Sequence, residues 1–161
     1  MRKPYITIAH LVLEILSYVL LAAAMGAVFI FIMRNGNGKI PTHFNFAGEV
    51  DGYGSPWNLI IMPVIMLAVN IMISLTIHVG SPAKWNMPFK IKPGREIGVW
   101  RCIVMMNVVL MLLMAVFALV TTVVWMLGRG DLIVVLAAAL IVLMIPAIVA
   151  PLVAAARRNR W

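Results

Sequence analysis

The sequence predicts an all-α integral membrane protein, a four-helix bundle with one long extracytoplasmic loop. Its residues are 64% hydrophobic and only 11% charged, whereas soluble domains average roughly 25% charged residues. A soluble chain of this size could not bury so much apolar surface. We therefore expect the helices to be surrounded by the lipid bilayer.

Four apolar segments are long enough to cross a membrane, because a spanning helix needs about 20 apolar residues. They lie near residues 8–33, 57–79, 99–127 and 132–155. The first segment follows Arg2 and Lys3, as in a signal peptide, but its apolar run is too long for a typical one. The sequence therefore predicts a single transmembrane domain over residues 1–161, without a cleaved leader.

The basic residues lie at alternate ends of the predicted helices. They are frequent at both termini and between the second and third segments, while the other two connections hold only Arg34, Lys39 and Arg129. Because cytoplasmic loops carry the excess of Lys and Arg, both termini are predicted to face the cytoplasm of a cell membrane. This distribution also argues against nucleic acid as a partner, despite a formal net charge of +8.

Residues 34–56 form the only long connection on the predicted outer side. Its second half places polar side chains among glycines, which is typical of an ordered loop. The residues that would bind a ligand or organise the loop are His43, Asn45, Glu49, Asp51 and Tyr53.

Three interpretations of this loop remain open. Its polar side chains would hydrogen-bond the loop backbone, or they would recognise a peptide or small-molecule ligand with help from Phe44 and Tyr53. Alternatively, His43, Asp51 and Glu49 would bind a metal, since nitrogen and carboxylate donors suit zinc. Their spacing matches no established metal motif, so we expect no cofactor.

The same loop contains a dense motif. It consists of the run Ile40-Pro41-Thr42-His43-Phe44-Asn45 followed by Gly48, Asp51, Gly54 and Ser55. These residues resemble the motif of domain of unknown function 1648, which forms the N-terminal part of SdpI-like bacterial immunity proteins. The resemblance covers roughly the first half of the chain. It implies a non-enzymatic envelope protein that confers immunity to a membrane-active peptide, or senses one, through its outer loop.

Polar groups inside the predicted spans are costly and therefore suggest function. They are His10, Glu14, Asn70, His78, Arg101 and Asn107. Helical spacing places Glu14 on the same face as His10 and Tyr18, so all three are expected to face the bundle interior. Depth in the membrane, counted from the predicted helix ends, predicts that the nearest polar neighbours of Glu14 are Asn70, Asn107 or Arg101.

Two roles for Glu14 follow. It would hold the helices together by hydrogen bonds, or it would be the titratable group of a small proton-coupled transporter that acts as a homo-oligomer. The second role resembles the small multidrug resistance family, whose connections are short. The sequence has no nucleophile elbow, phosphate loop or zincin motif, so we do not expect an enzyme.

Overall fold

The computed structural model of the protein describes residues 3–36, 38–45, 47 and 49–160. The predictions that involve Arg2 and Gly48 fall outside these residues. Within the described chain, four long helices follow one another as α1 (Ile8–Asn35), α2 (Ile61–His78), α3 (Glu96–Met126) and α4 (Asp131–Arg160). All four are long and apolar enough to cross a membrane, with the short 3-10 helix Pro56–Ile60 extending α2. The predicted all-α membrane fold is confirmed.

Helix α1 is bounded by specific caps. The Thr7 hydroxyl accepts a hydrogen bond from the backbone N–H of His10, and the His10 ring accepts one from the N–H of Thr7. This reciprocal pair satisfies backbone donors that the first helical turn leaves free. The helix ends before Gly36, whose positive φ of 67° suits glycine.

The helices do not contribute equally to the core. Helix α1 buries one residue every three or four positions, as expected for a helix that packs one face against other helices. The buried residues are His10, Glu14, Ser17, Leu21, Ala24, Val28 and Ile32. Helix α3 is central, because it packs against all three other helices. Helix α4 packs mainly against α3, and Ala155 is its only buried residue among those described.

The connection after α1 is more regular than the sequence predicts. Strands β1 (Ile40–Phe44) and β2 (Val50–Gly54) pair antiparallel in a hairpin, with Pro41 opposite Tyr53 and an irregular register at His43. The sequence predicts a long ordered loop here without assigning strands, and the structure adds the hairpin within it.

The hairpin is fixed to the other half of the chain. The Trp125 indole N–H donates to the carbonyl of Pro41 at 2.5 Å, and the Phe44 and Trp125 rings lie 6.0 Å apart, edge to face. The Phe44 ring also covers Gly130, in the turn between α3 and α4, so closely that a Cβ atom there would overlap it. We call the end of the bundle that carries these contacts the hairpin end. The opposite end, with the start of α1, the end of α4 and the connection at residues 79–95, is the terminal end.

Candidate functional site

An exposed His–Asp pair lies on the hairpin. The Nδ1 atom of His43 and the Oδ1 atom of Asp51 are hydrogen-bonded at 2.5 Å across the two strands. The two side chains are 72% and 44% exposed. This exposure leaves both side chains accessible from solvent. Because exposed ion pairs contribute little to stability, the pair does little for the fold.

The turn of the hairpin is organised by Asn45. Its side-chain oxygen accepts hydrogen bonds from the backbone N–H groups of Ala47 and Glu49, both at 2.9 Å. Its amide nitrogen donates to the Glu49 carboxylate at 3.0 Å. An Asn side chain that bonds nearby backbone in this way replaces ladder hydrogen bonds and fixes a turn. Asn45 and Glu49 therefore organise the loop.

The predicted loop residues come together only in part. His43, Asn45 and Asp51 line a shallow depression of about 340 Å³ with Phe44 and with Val134 of α4. Tyr53 is 64% exposed and does not line it. Among the described residues, no group of three or more His, Cys, Asp or Glu side chains could hold a metal ion, so His43 and Asp51 offer only two ligands.

A second polar group lies between α1 and α2, nearer the terminal end. Glu14 is 6% exposed and faces the bundle interior. Its carboxylate accepts a hydrogen bond from the Ser74 hydroxyl at 2.5 Å and one from the Nε2 atom of His78 at 2.8 Å. Both carboxylate oxygens are therefore bonded to α2.

The predicted neighbours of Glu14 are wrong. Depth alone indicated Asn70, Asn107 or Arg101, whereas Ser74 and His78 make the contacts. The reason is helix rotation, because residues four apart on α2 share the face that meets α1. The spacing of Asn70, Ser74 and His78 was the available signal, and Ser74 was missed because serine is common in apolar helices.

Asn70, one helical turn before Ser74 on α2, connects three helices. It is fully buried, and its side-chain amide donates to the Ser17 hydroxyl at 3.3 Å and to the carbonyl of Met111 at 3.4 Å. Ser17 in turn donates to the carbonyl of Glu14 at 2.7 Å. The polar groups thus form a ladder that joins α2 to α1 and α3.

The other intramembrane polar residues stand apart from Glu14. His10 serves the cap of α1, and the Arg101 guanidinium donates to the carbonyl of Pro4 at 3.0 Å. Asn107 is half-buried on α3. His10 and Arg101 line a cleft between α1, α3 and α4 that Glu14 does not reach. The Glu14 cluster therefore ties α1 to α2, with the His78 side chain 38% exposed.

Comparison with protein families agrees with the loop motif. Residues 19–67 match the family described as Domain of unknown function (DUF1648). The match runs from within α1 through the hairpin into α2, inside the first half of the chain. It contains His43, Asn45 and Asp51 but ends before Asn70 and His78. No curated protein and no solved structure matches the chain.

Proposed function

We propose that this protein is a non-enzymatic bacterial envelope protein that recognises a membrane-active peptide through its hairpin, in the manner of an SdpI-like immunity or sensing protein. The exposed pair of His43 and Asp51 carries this proposal. It lies within the DUF1648 match, and its exposure of 72% and 44% leaves it little role in stability.

The hairpin is well prepared for binding. Its turn is hydrogen-bonded internally through Asn45, and its strands are held on the helices by Trp125 and Phe44. A preorganised surface loses less conformational entropy on binding. In addition, the sheet has only two strands among the described residues, and an extended peptide can add to the edge of such a sheet.

The described polar residues of the hairpin include no nucleophile hydrogen-bonded to His43. An Asp that orients a His belongs to hydrolytic triads only when the His also contacts a nucleophile. Among the described residues, the His43 side chain is hydrogen-bonded to Asp51 alone. Recognition is therefore a better explanation for the pair than acid–base catalysis.

Cysteine labelling tests the orientation that this function needs. We expect Ala47→Cys to react with an impermeant maleimide added to intact cells, and Lys90→Cys to react only after lysis, because basic loops stay cytoplasmic. Both positions are exposed, whereas the native Cys102 is buried and is replaced by alanine as a precaution. Labelling of Lys90→Cys but not Ala47→Cys in intact cells would reverse the topology.

Survival of cells tests recognition itself. Bacteria that express the full chain are challenged with a panel of membrane-permeabilising peptides, and the inhibitory concentration is compared with that of cells carrying an empty vector. For a peptide against which the chain protects, Asp51→Asn is expected to reduce protection about fivefold, which corresponds to about 1 kcal/mol of binding.

Asp131→Asn is the matched control. Asp131 forms a comparable exposed pair with Arg129 at the hairpin end, at 2.9 Å, but lies outside the hairpin. We expect this variant to protect like the unmodified chain. Equal loss in both variants would point to a general charge effect, and absence of protection against every peptide would contradict the immunity form of the proposal.

A further inference from the structure

The terminal end contains a cleft separate from the hairpin and from Glu14. It lies between α1, α3 and α4, has a volume of about 470 Å³, and is lined in part by His10, Arg101, Met105, Ala150, Ala154 and Arg158. The cleft exists because α1 and α4 both pack on α3. Ala150 and Ala154 are small residues, which leave the α4 wall open.

The charge around this cleft is strongly unbalanced. Arg101 and Arg158 are exposed cations on α3 and α4. Within the part of the chain that the structure describes, neither forms an ion pair. Among the described residues no carboxylate lines the cleft, and the Glu14 carboxylate of α1 is bonded to Ser74 and His78 of α2. The described lining of the cleft is therefore cationic, with no carboxylate to balance Arg101 and Arg158.

Arg158 also faces a second basic surface. Its aliphatic stem lies over Gly98, at 3.7 Å from where a Cβ atom would stand. The adjoining depression is lined by Gly94, Arg95, Gly98, Arg157 and Arg158. The Arg158 guanidinium is thus held at the mouth of the cleft by packing of its stem, beside further cations that strengthen the attraction for an anion.

The cleft is amphipathic along the membrane normal. Arg101 lies five residues into α3 and Arg158 two residues before the end of α4, which places both near the membrane–water interface, at 1.5 Å per residue. Toward the bundle centre the lining becomes apolar through Met105, Ala150 and Pro151. A cationic mouth above an apolar groove matches a molecule with an anionic head and a hydrocarbon tail.

We propose that this cleft binds one anionic glycerophospholipid, with its phosphate between Arg101 and Arg158 and the start of an acyl chain along Met105, Ala150 and Ala154. Basic pockets between transmembrane helices bind phosphate head groups, and guanidinium groups form paired hydrogen bonds with phosphate. The site is independent of the hairpin and of the ligand proposed for it.

Lipid binding to the purified full-length chain tests the site. Native mass spectrometry in detergent measures the affinity for phosphatidylglycerol and for phosphatidylcholine with the same acyl chains. We expect Arg158→Gln to weaken phosphatidylglycerol binding about fivefold, because it removes a cation that hydrogen-bonds the phosphate inside the cleft, and to weaken phosphatidylcholine binding less, because choline offsets the charge of its phosphate. Arg160→Gln removes the same charge from the same helix turn outside the cleft and is expected to have little effect.

Further variants separate folding, charge and lipid. Arg101→Lys keeps the charge but loses the paired hydrogen bonds of the guanidinium, so it should weaken phosphatidylglycerol binding less than Arg101→Gln does. Ala154→Leu fills the apolar groove without changing charge and should weaken phosphatidylglycerol binding. Equal effects of Arg158→Gln and Arg160→Gln would overturn the proposal. So would displacement of the lipid by glycerol phosphate, which would assign the site to a soluble phosphate.

Discussion

Glu14→Ala is expected to loosen α1 from α2 and to lower the free energy of unfolding by about 2 kcal/mol. The substitution removes two hydrogen bonds between helices, each worth about 0.6–1.7 kcal/mol in membrane proteins. It also leaves Ser74 and His78 without the acceptor that they share. Denaturant unfolding in detergent micelles, followed by tryptophan fluorescence, measures the change.

Glu14→Gln is the matched variant. Its side-chain oxygen still accepts one hydrogen bond, so we expect roughly half of the loss. Ser74→Ala combined with Glu14→Ala should destabilise less than the sum of the single changes, because the two residues share one interaction. Unchanged stability of Glu14→Ala would contradict the role as a tie. Proton or drug flux in vesicles that Glu14→Gln abolishes would instead support transport.

Gly130→Ala is expected to displace the hairpin from the helices, at a cost of about 2 kcal/mol, the usual range for overpacking. Gly130 does not have the positive φ seen at Gly128, so its role is to leave space for the Phe44 ring. Hydrogen exchange of the hairpin amides measures the effect, since displaced strands lose protection.

Gly38→Ala is the control for Gly130→Ala. A Cβ atom at Gly38 meets nothing within 4 Å, so protection of the hairpin should not change. Phe44→Ala removes the ring, so the methyl group introduced by Gly130→Ala then has room. The variant with both changes should therefore lose less hairpin protection than the sum of the losses in the two single variants. Full protection in Gly130→Ala would show that the ring does not need this space.

The four helices were predictable because hydrophobicity and length are local properties of the sequence. The hairpin was not. Its strands contain Pro41, Gly52 and Gly54, which are poor strand formers. They are fixed by a contact with Trp125, 84 residues away from Pro41. No local pattern reports such a partner.

The inward orientation of Glu14 was predictable from the sequence, but its hydrogen-bond partners were not. The spacing of His10 and Glu14 correctly indicated an inward face, because side chains four apart lie on one side of a helix. Which residues of α2 they meet depends on how α2 is rotated and shifted against α1. That follows from packing over the whole interface, so the four-residue spacing of Ser74 and His78 indicated a shared face of α2 but not its contact with Glu14.

The central position of α3 decides whether the matched segment can be regarded as a separate structural unit. The DUF1648 segment, residues 19–67, is continuous in sequence, yet α1 packs more extensively against α3 than against α2. Its hairpin also rests on Trp125 and Gly130, both beyond the segment. A chain cut after α2 would leave the buried face of α1 and the underside of the hairpin uncovered. In this chain the matched segment is therefore not structurally independent, because α3 and the turn before α4 cover its packed surfaces.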